Sequence, residues 1–119
     1  MSKKKSFVIN RKKWYRGHED ESRLLRPSDG KMCCLGFFEK AICGLKIKDI
    51  LDIGDPLELE SESQPEWFFR NTKYKTETFS LDLYTLIQVN DNENLTESVR
   101  EELIKNIFKK HNIKVKFVG

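Results

Sequence analysis

The side chains of this 119-residue chain best placed for chemistry are three cysteines and two histidines, and two of the cysteines are adjacent. Cys33 and Cys34 lie in the run Asp29-Gly30-Lys31-Met32-Cys33-Cys34-Leu35-Gly36-Phe37-Phe38. That run joins a helix-start signal to a glycine inside a helical pattern and an aromatic pair. A thiolate near a helix N-terminus is stabilised, so Cys33 is a candidate nucleophile. His18, in Arg16-Gly17-His18-Glu19-Asp20, is its candidate base if the intervening loop folds over the helix start. The opposing reading makes Cys34 a small core residue and Cys33 its semi-buried neighbour, the usual fate of free cysteines. The sequence favours this second reading, because no base, metal or cofactor signature accompanies the cysteines.

Metal binding finds little support. Adjacent helical side chains point about 100° apart, so Cys33 and Cys34 do not chelate one ion. Cys43, His18 and His111 complete the candidates, and no C-x-x-C or H-x-x-x-H spacing joins them. No metal and no cofactor is expected. The nineteen acidic residues offer no distinctive pair for hydrolysis, and Asn90-Asp91 reads first as an Asx turn. No P-loop, dinucleotide fingerprint or nucleophile elbow is present.

Anion binding is the remaining chemistry. Backbone amides around Gly30-Lys31-Met32 would form an anion site at a helix start. Arg16, Arg23, Arg26 and Lys31 could bring charge, Trp14, Tyr15 or Trp67 could stack on a base, and Asn90 and Asp91 could read polar edges. The candidate ligand site is therefore Trp14, Arg16, Gly30, Lys31, Cys33, Asn90 and Asp91. One objection stands: Asp29, as an N-cap, would occupy the same amides and repel an anion.

The elements that must position these groups follow from pattern. Ser6-Phe7-Val8-Ile9 reads as a strand, and Asn10 caps a helical turn carrying Trp14 that Gly17 stops. Residues 17–30 form a polar loop docked by Leu24 and Leu25. Asp29 caps a helix over 31–43 that Gly44 ends, with Cys34, Phe37, Phe38, Ala41 and Leu45 on one face. Gly36 costs that helix about 1 kcal/mol relative to Ala, tolerable where another backbone or a ligand comes close.

Residues 46–53 are ambiguous between helical turn and strand. Pro65 opens a short helix with Trp67, Phe68 and Phe69, whose aromatic cluster returns to the core. Residues 73–79 alternate as an extended segment. Ser80 caps a helix ending near Asn90-Asp91, although alternation of Leu81, Leu83 and Thr85 leaves a strand open there. Thr96 caps a helix over 97–111 with Val99, Leu103, Ile104, Ile107 and Phe108 on one face, and Asn112 ends it in the left-handed region. Residues 113–118 alternate as a strand with lysines outward.

The fold class is thus α+β. It is one domain over 1–119, with the terminal strands in one small sheet packed against about three helices. The basic tail 1–5 and the acidic loop 55–66 are expected to be mobile.

Charge is unevenly distributed around a net +3. Residues 1–16 hold seven basic side chains and no acidic one, and residues 49–66 hold seven acidic and no basic ones. Such halves can pair within the fold, between subunits or with separate partners. The basic end with Trp14 and Tyr15 could touch nucleic acid, but a solvated terminus is the simpler reading and leaves direct nucleic-acid binding the lesser expectation. No apolar run spans a bilayer, and no long apolar segment follows Lys3-Lys4-Lys5 as a secretory signal would require. An odd cysteine count suits a reduced cytoplasm. An exposed terminal strand could pair with a second copy.

Three segments together carry a resemblance. They are Trp14-Tyr15-Arg16-Gly17; Leu24-Leu25 with Asp29 to Phe37 and Gly44; and Val89-Asn90-Asp91-Asn92 with Leu95-Thr96 and the ending Val115-Lys116-Phe117-Val118. The pattern, covering 14–44 and 86–118, resembles small hypothetical proteins encoded by bacteriophages and prophages. The resemblance transfers no active site. It implies a protein acting in the cytoplasm of a bacterial host, where small phage accessory proteins capture immune nucleotide signals or block host factors.

Three functions follow. The first is capture of a nucleotide-like or other anionic small ligand. The second is inhibition of a host protein through the acidic 49–66 segment, and the third is a small cysteine-dependent enzyme. Binding ranks above catalysis.

Overall fold

The first and last strands of the chain pair with each other. In a computed structural model that describes residues 5–70 and 79–119, β1 (Lys5–Asn10) and β2 (Ile113–Val118) run parallel, with Phe7 opposite Val115. Alternation decides the faces: Phe7, Ile9, Ile113 and Val115 are buried, whereas Ser6, Val8, Lys114 and Lys116 are exposed. Parallel neighbours need a crossover, and here the crossover is everything between them.

Among the described residues, that connection carries four α-helices, α1 (Cys34–Ala41), α2 (Ile47–Ile50), α3 (Leu81–Asp91) and α4 (Glu97–Lys110). α1 packs on β1, α4 on β2, and α3 on α4. The fold is α+β, as the sequence predicts. α2 is the additional helix. It is a single turn and settles the ambiguity over 46–53, while Leu51 just beyond it bridges to Leu25 in parallel.

Phe38 of α1 sits at the centre of the core. Its ring stacks on Phe108 at 5.3 Å, meets Phe68 at 5.3 Å and takes Phe7 edge-on at 5.8 Å. The aromatic return predicted after Pro65 is therefore real: Phe68 and Phe69 are buried, and the Trp67 ring stacks on His111 at 3.8 Å. Such contacts add about 0.5–1.5 kcal/mol per aromatic pair beyond area burial.

Both predicted caps on the later helices form. The Ser80 and Thr96 hydroxyls accept from the amides of Leu83 and Val99, and Asn112 takes φ +63° after α4. α3 is helix throughout, so the strand alternative is excluded. Asn10 caps only a 3-10 turn, Arg11–Lys13, and Trp14 lies beyond it in extended backbone. The buried face of α4 is rotated from expectation: Arg100, Ile104, Ile107 and Phe108 are inside, and Val99 and Leu103 are exposed. Residues 55–66 wind through 3-10 turns at Pro56–Glu58 and Ser61–Ser63, with Pro56 and Gln64 buried. Of the extended segment expected at 73–79, only Phe79 lies among the described residues; it bridges to Phe69.

Candidate functional site

Asn90, at the end of α3, organises the centre of the sequence signature. It is buried, and its side chain makes four hydrogen bonds within the protein. Its Oδ1 accepts from Trp14 Nε1 at 2.8 Å and from the Cys34 amide at 2.9 Å. Its Nδ2 donates to the Tyr15 carbonyl at 3.1 Å and to Asp91 Oδ1 at 2.9 Å. One amide thus ties the segment after β1, the start of α1 and the end of α3. Trp14 and Asn90 come together, and their side-chain polar atoms are hydrogen-bonded within the protein, Trp14 to Asn90 and Asn90 also to Cys34, Tyr15 and Asp91.

The start of α1 corrects a second expectation. The helix begins at Cys34, not at residue 31, and Asp29 does not cap it. Asp29 and Gly30 instead form a turn: the Asp29 carboxylate accepts from the Lys31 amide, Gly30 takes φ +72°, and its amide donates to the Arg26 carbonyl. Asp-Gly is as good a turn signal as a helix start. The real cap is the Asn90 side chain, 56 residues away. The Gly30-Lys31-Met32 amides are therefore not a helix-start anion site. Met32 is paired with Trp14, its amide donating to the Lys13 carbonyl.

Cys33 is the N-cap residue of α1, close to where the sequence places it, yet it is not an activated thiol. Burial pushes its pKa up to about 12, and amide hydrogen bonds from Gly36 and Leu35 do not offset that; Asp91 raises it further. Cys34 is also raised well above its ordinary value, chiefly by burial. A buried thiol that holds its proton is a poor nucleophile. His18 does not reach it through any hydrogen bond. The His18 ring lies beside Tyr15, at 5.9 Å, and lines a different cavity. We expect iodoacetamide at pH 8 to leave Cys33 and Cys34 unmodified in native protein and to label both after unfolding. Rapid native labelling of Cys33, read by peptide mass, would contradict this.

Arg16 is likewise engaged. It pairs with Glu97 of α4, donates to the carbonyls of Arg11 and Trp14 at 2.9 Å, and lies over the Trp14 ring at 4.6 Å. Lys31 and Asp91 do reach a cleft. It has a volume of about 850 Å³, with Tyr15, His18 and Arg26 also on its wall. The Arg26 guanidinium covers the Tyr15 ring at 3.8 Å and pairs with Asp29 and Glu21. Carboxylates dominate the rest of the lining, from Glu19, Asp20, Asp29, Asp91 and Glu93. Asp91 itself is raised by burial, against hydrogen bonds from Asn90 and Ser22.

Two buried charged residues escaped the sequence reading. Arg100 of α4 donates through Nη1 to the carbonyls of Val89, Asn90 and Asn92, and through Nη2 to that of Leu95, closing the carbonyl end of α3. Its signal was position, at i, i+4, i+7 and i+8 with Ile104, Ile107 and Phe108.

Glu39 of α1 has no exposed surface and accepts from Gln64 Nε2 at 2.8 Å. Burial lifts its pKa from 4.5 to about 7, against hydrogen bonds from Gln64 and Cys43. A carboxyl raised on folding stabilises the fold below its unfolded pKa, and that stabilisation is lost as pH rises to the folded value. Between pH 4.5 and 7 the native state should therefore lose up to about 3 kcal/mol from this group. Urea unfolding followed across that range checks it, and Glu39→Gln should flatten the profile.

Among the described residues, no group of three or more His, Cys, Asp or Glu side chains converges as a metal site, and no helix is long and apolar enough to cross a membrane. No protein-family model, no curated protein and no solved structure matches the chain.

Proposed function

We propose that this is a non-catalytic binding protein, a phage-type accessory protein acting in the cytoplasm of a bacterial host, that engages a basic host protein through its acidic segment. The observation that carries this reading is how the acidic side chains are spent. Asp49, Asp52 and Glu58 are held by the Lys46 amide, Arg23 and the Gly54 amide. Glu60, Glu62 and Glu66 are exposed and make no ion pair among the described residues. They stand on 3-10 turns or just beside them. Leu51 of this segment and Ile47 just before it are also exposed, at 43% and 56%, four residues apart. Apolar anchors supply affinity, and surrounding charge supplies speed and choice of partner.

The test is capture of a basic protein from bacterial lysate on immobilised protein, repeated with Glu60→Lys/Glu62→Lys/Glu66→Lys. Capture should weaken as salt rises from about 0.05 to 0.3 M and be lost in the variant. Undiminished capture by the variant would remove the reading.

Capture of a nucleotide-like or other anionic ligand, as in immune evasion, is the second reading. It is favoured by the 850 Å³ cleft with Lys31, Arg26 and Tyr15 on its wall, and opposed by the carboxylates there. Native mass spectrometry with a nucleotide panel separates the two. An adduct lost on Lys31→Ala would restore ligand capture.

A further inference from the structure

We infer that the face built by β2 and the adjoining side of α4 is a second interaction surface, one that binds the phosphate backbone of nucleic acid without reading sequence. Parallel pairing of the terminal strands sets Ser6 and Val8 opposite Lys114 and Lys116, so the outer sheet face carries lysines and no carboxylate. Lys105 and Lys109 stand one turn apart on α4 and, with Lys114, rim a groove of about 410 Å³ floored by Ile113 and Val115. Lys114 and Lys116 are spaced by two strand residues, about 6.6 Å.

All four lysines are exposed, and none makes an ion pair among the described residues. Two carboxylates of the neighbouring helices are committed elsewhere. Glu101 is held by Arg11 and Asp82 by Lys110 and His111, while Glu102 forms no pair with Lys105.

The chemistry selects a polyphosphate over an acidic protein. Protein interfaces concentrate Trp, Tyr and Arg at their centres and are depleted in Lys. The charged side chains of the outer sheet face are lysines, with Val8 as its exposed apolar residue. Lysine ammonium groups on a rigid strand and helix suit phosphate oxygens as point charges. Without an aromatic side chain or arginine among them, they contact the backbone and leave the bases unread.

Fluorescence anisotropy with labelled random-sequence duplex DNA, single-stranded DNA and poly-glutamate tests the assignment over a salt series. Binding to nucleic acid should weaken steeply with salt. Lys114→Ala/Lys116→Ala and Lys105→Ala/Lys109→Ala should each reduce the slope of log K against log salt by about 1.8 on duplex or about 1.4 on single strands. The duplex and single-strand arms decide which form is preferred. All four side chains point to solvent, and circular dichroism of each variant checks that folding is unchanged. Absence of binding at about 50 mM salt, a regime in which such contacts are strong, would overturn the proposal. So would a slope unmoved by both variants. Binding of poly-glutamate but not DNA would reassign the face to an acidic protein.

Discussion

Replacing Asn90 by alanine should be the most destabilising polar substitution in this protein. The variant removes the shared acceptor of Trp14 Nε1 and the Cys34 amide, both buried. Each stranded donor costs about 1–3 kcal/mol, so the two together should cost roughly 2–6 kcal/mol. That is a large part of the stability of a domain of this size. The Tyr15 carbonyl and Asp91 also lose a donor, and among the described residues Asp91 then keeps Ser22 as its side-chain donor. Urea unfolding followed by far-UV circular dichroism gives the number. Asn90→Asp separates the roles of the two side-chain atoms. It keeps an acceptor for Trp14 and Cys34 but sets a second carboxylate beside Asp91, so it should recover stability as pH falls and the carboxyls protonate. A loss below about 1 kcal/mol for Asn90→Ala would mean that Asn90 is not the buried tie described above.

Asn90 also shows what could be read from the chain and what could not. Its segment was legible as a polar end to an apolar helix, because Ser80 and the spacing of Leu83 and Leu86 are local signals. So were the terminal strands, whose alternation needs no partner to be visible, and the Thr96 cap with the left-handed Asn112. The function of Asn90 was not legible, since a cap supplied across 56 residues leaves no mark near the helix it serves. A nearby decoy, Asp29, carried the local signal instead and turned out to shape a tight turn.

Arg100 illustrates a different failure. Judged by hydrophobicity, the stripe of α4 runs through Val99 and Leu103. The buried face runs through Arg100 because its guanidinium fills the carbonyl end of α3. The parallel sense of the sheet was also invisible, and with it the gathering of lysines on one sheet face. For the candidate site, the structure separates the residues that were grouped from the sequence. Trp14 and Asn90 are joined to each other, and Cys33 stands next to Cys34, whose amide Asn90 caps, whereas Lys31 and Asp91 are the members that reach the cleft.

Gly36→Ala should be as damaging as the loss of Asn90, and in the direction opposite to helix propensity. In an exposed helix the change gains about 1 kcal/mol. Here a β-carbon would lie 1.9 Å from the Leu24 carbonyl oxygen and 2.8 Å from Met32 Cβ. The close approach anticipated at this glycine is therefore by backbone, and a backbone cannot swing aside as a side chain does. Leu24 is fixed from both flanks: the peptide before it donates from the Leu24 amide to the Ile53 carbonyl at 2.8 Å and accepts from Cys33 at the Arg23 carbonyl at 3.1 Å, and beyond it the Leu25 carbonyl accepts from the Asp52 amide at 2.8 Å. Relief requires α1 to move off the loop, which opens the core at Phe37 and Phe38. A cost of about 3 kcal/mol or more follows for overpacking at such a contact. Gly30→Ala is the control. It has φ +72° and nothing within 4 Å of the added atom, so only local backbone strain of about 1–2 kcal/mol is expected. If Gly36→Ala were the milder of the two, or stabilising, the seating of α1 on the Leu24 backbone would be wrong. The loop that carries Lys31 into the cleft would then need a different anchor.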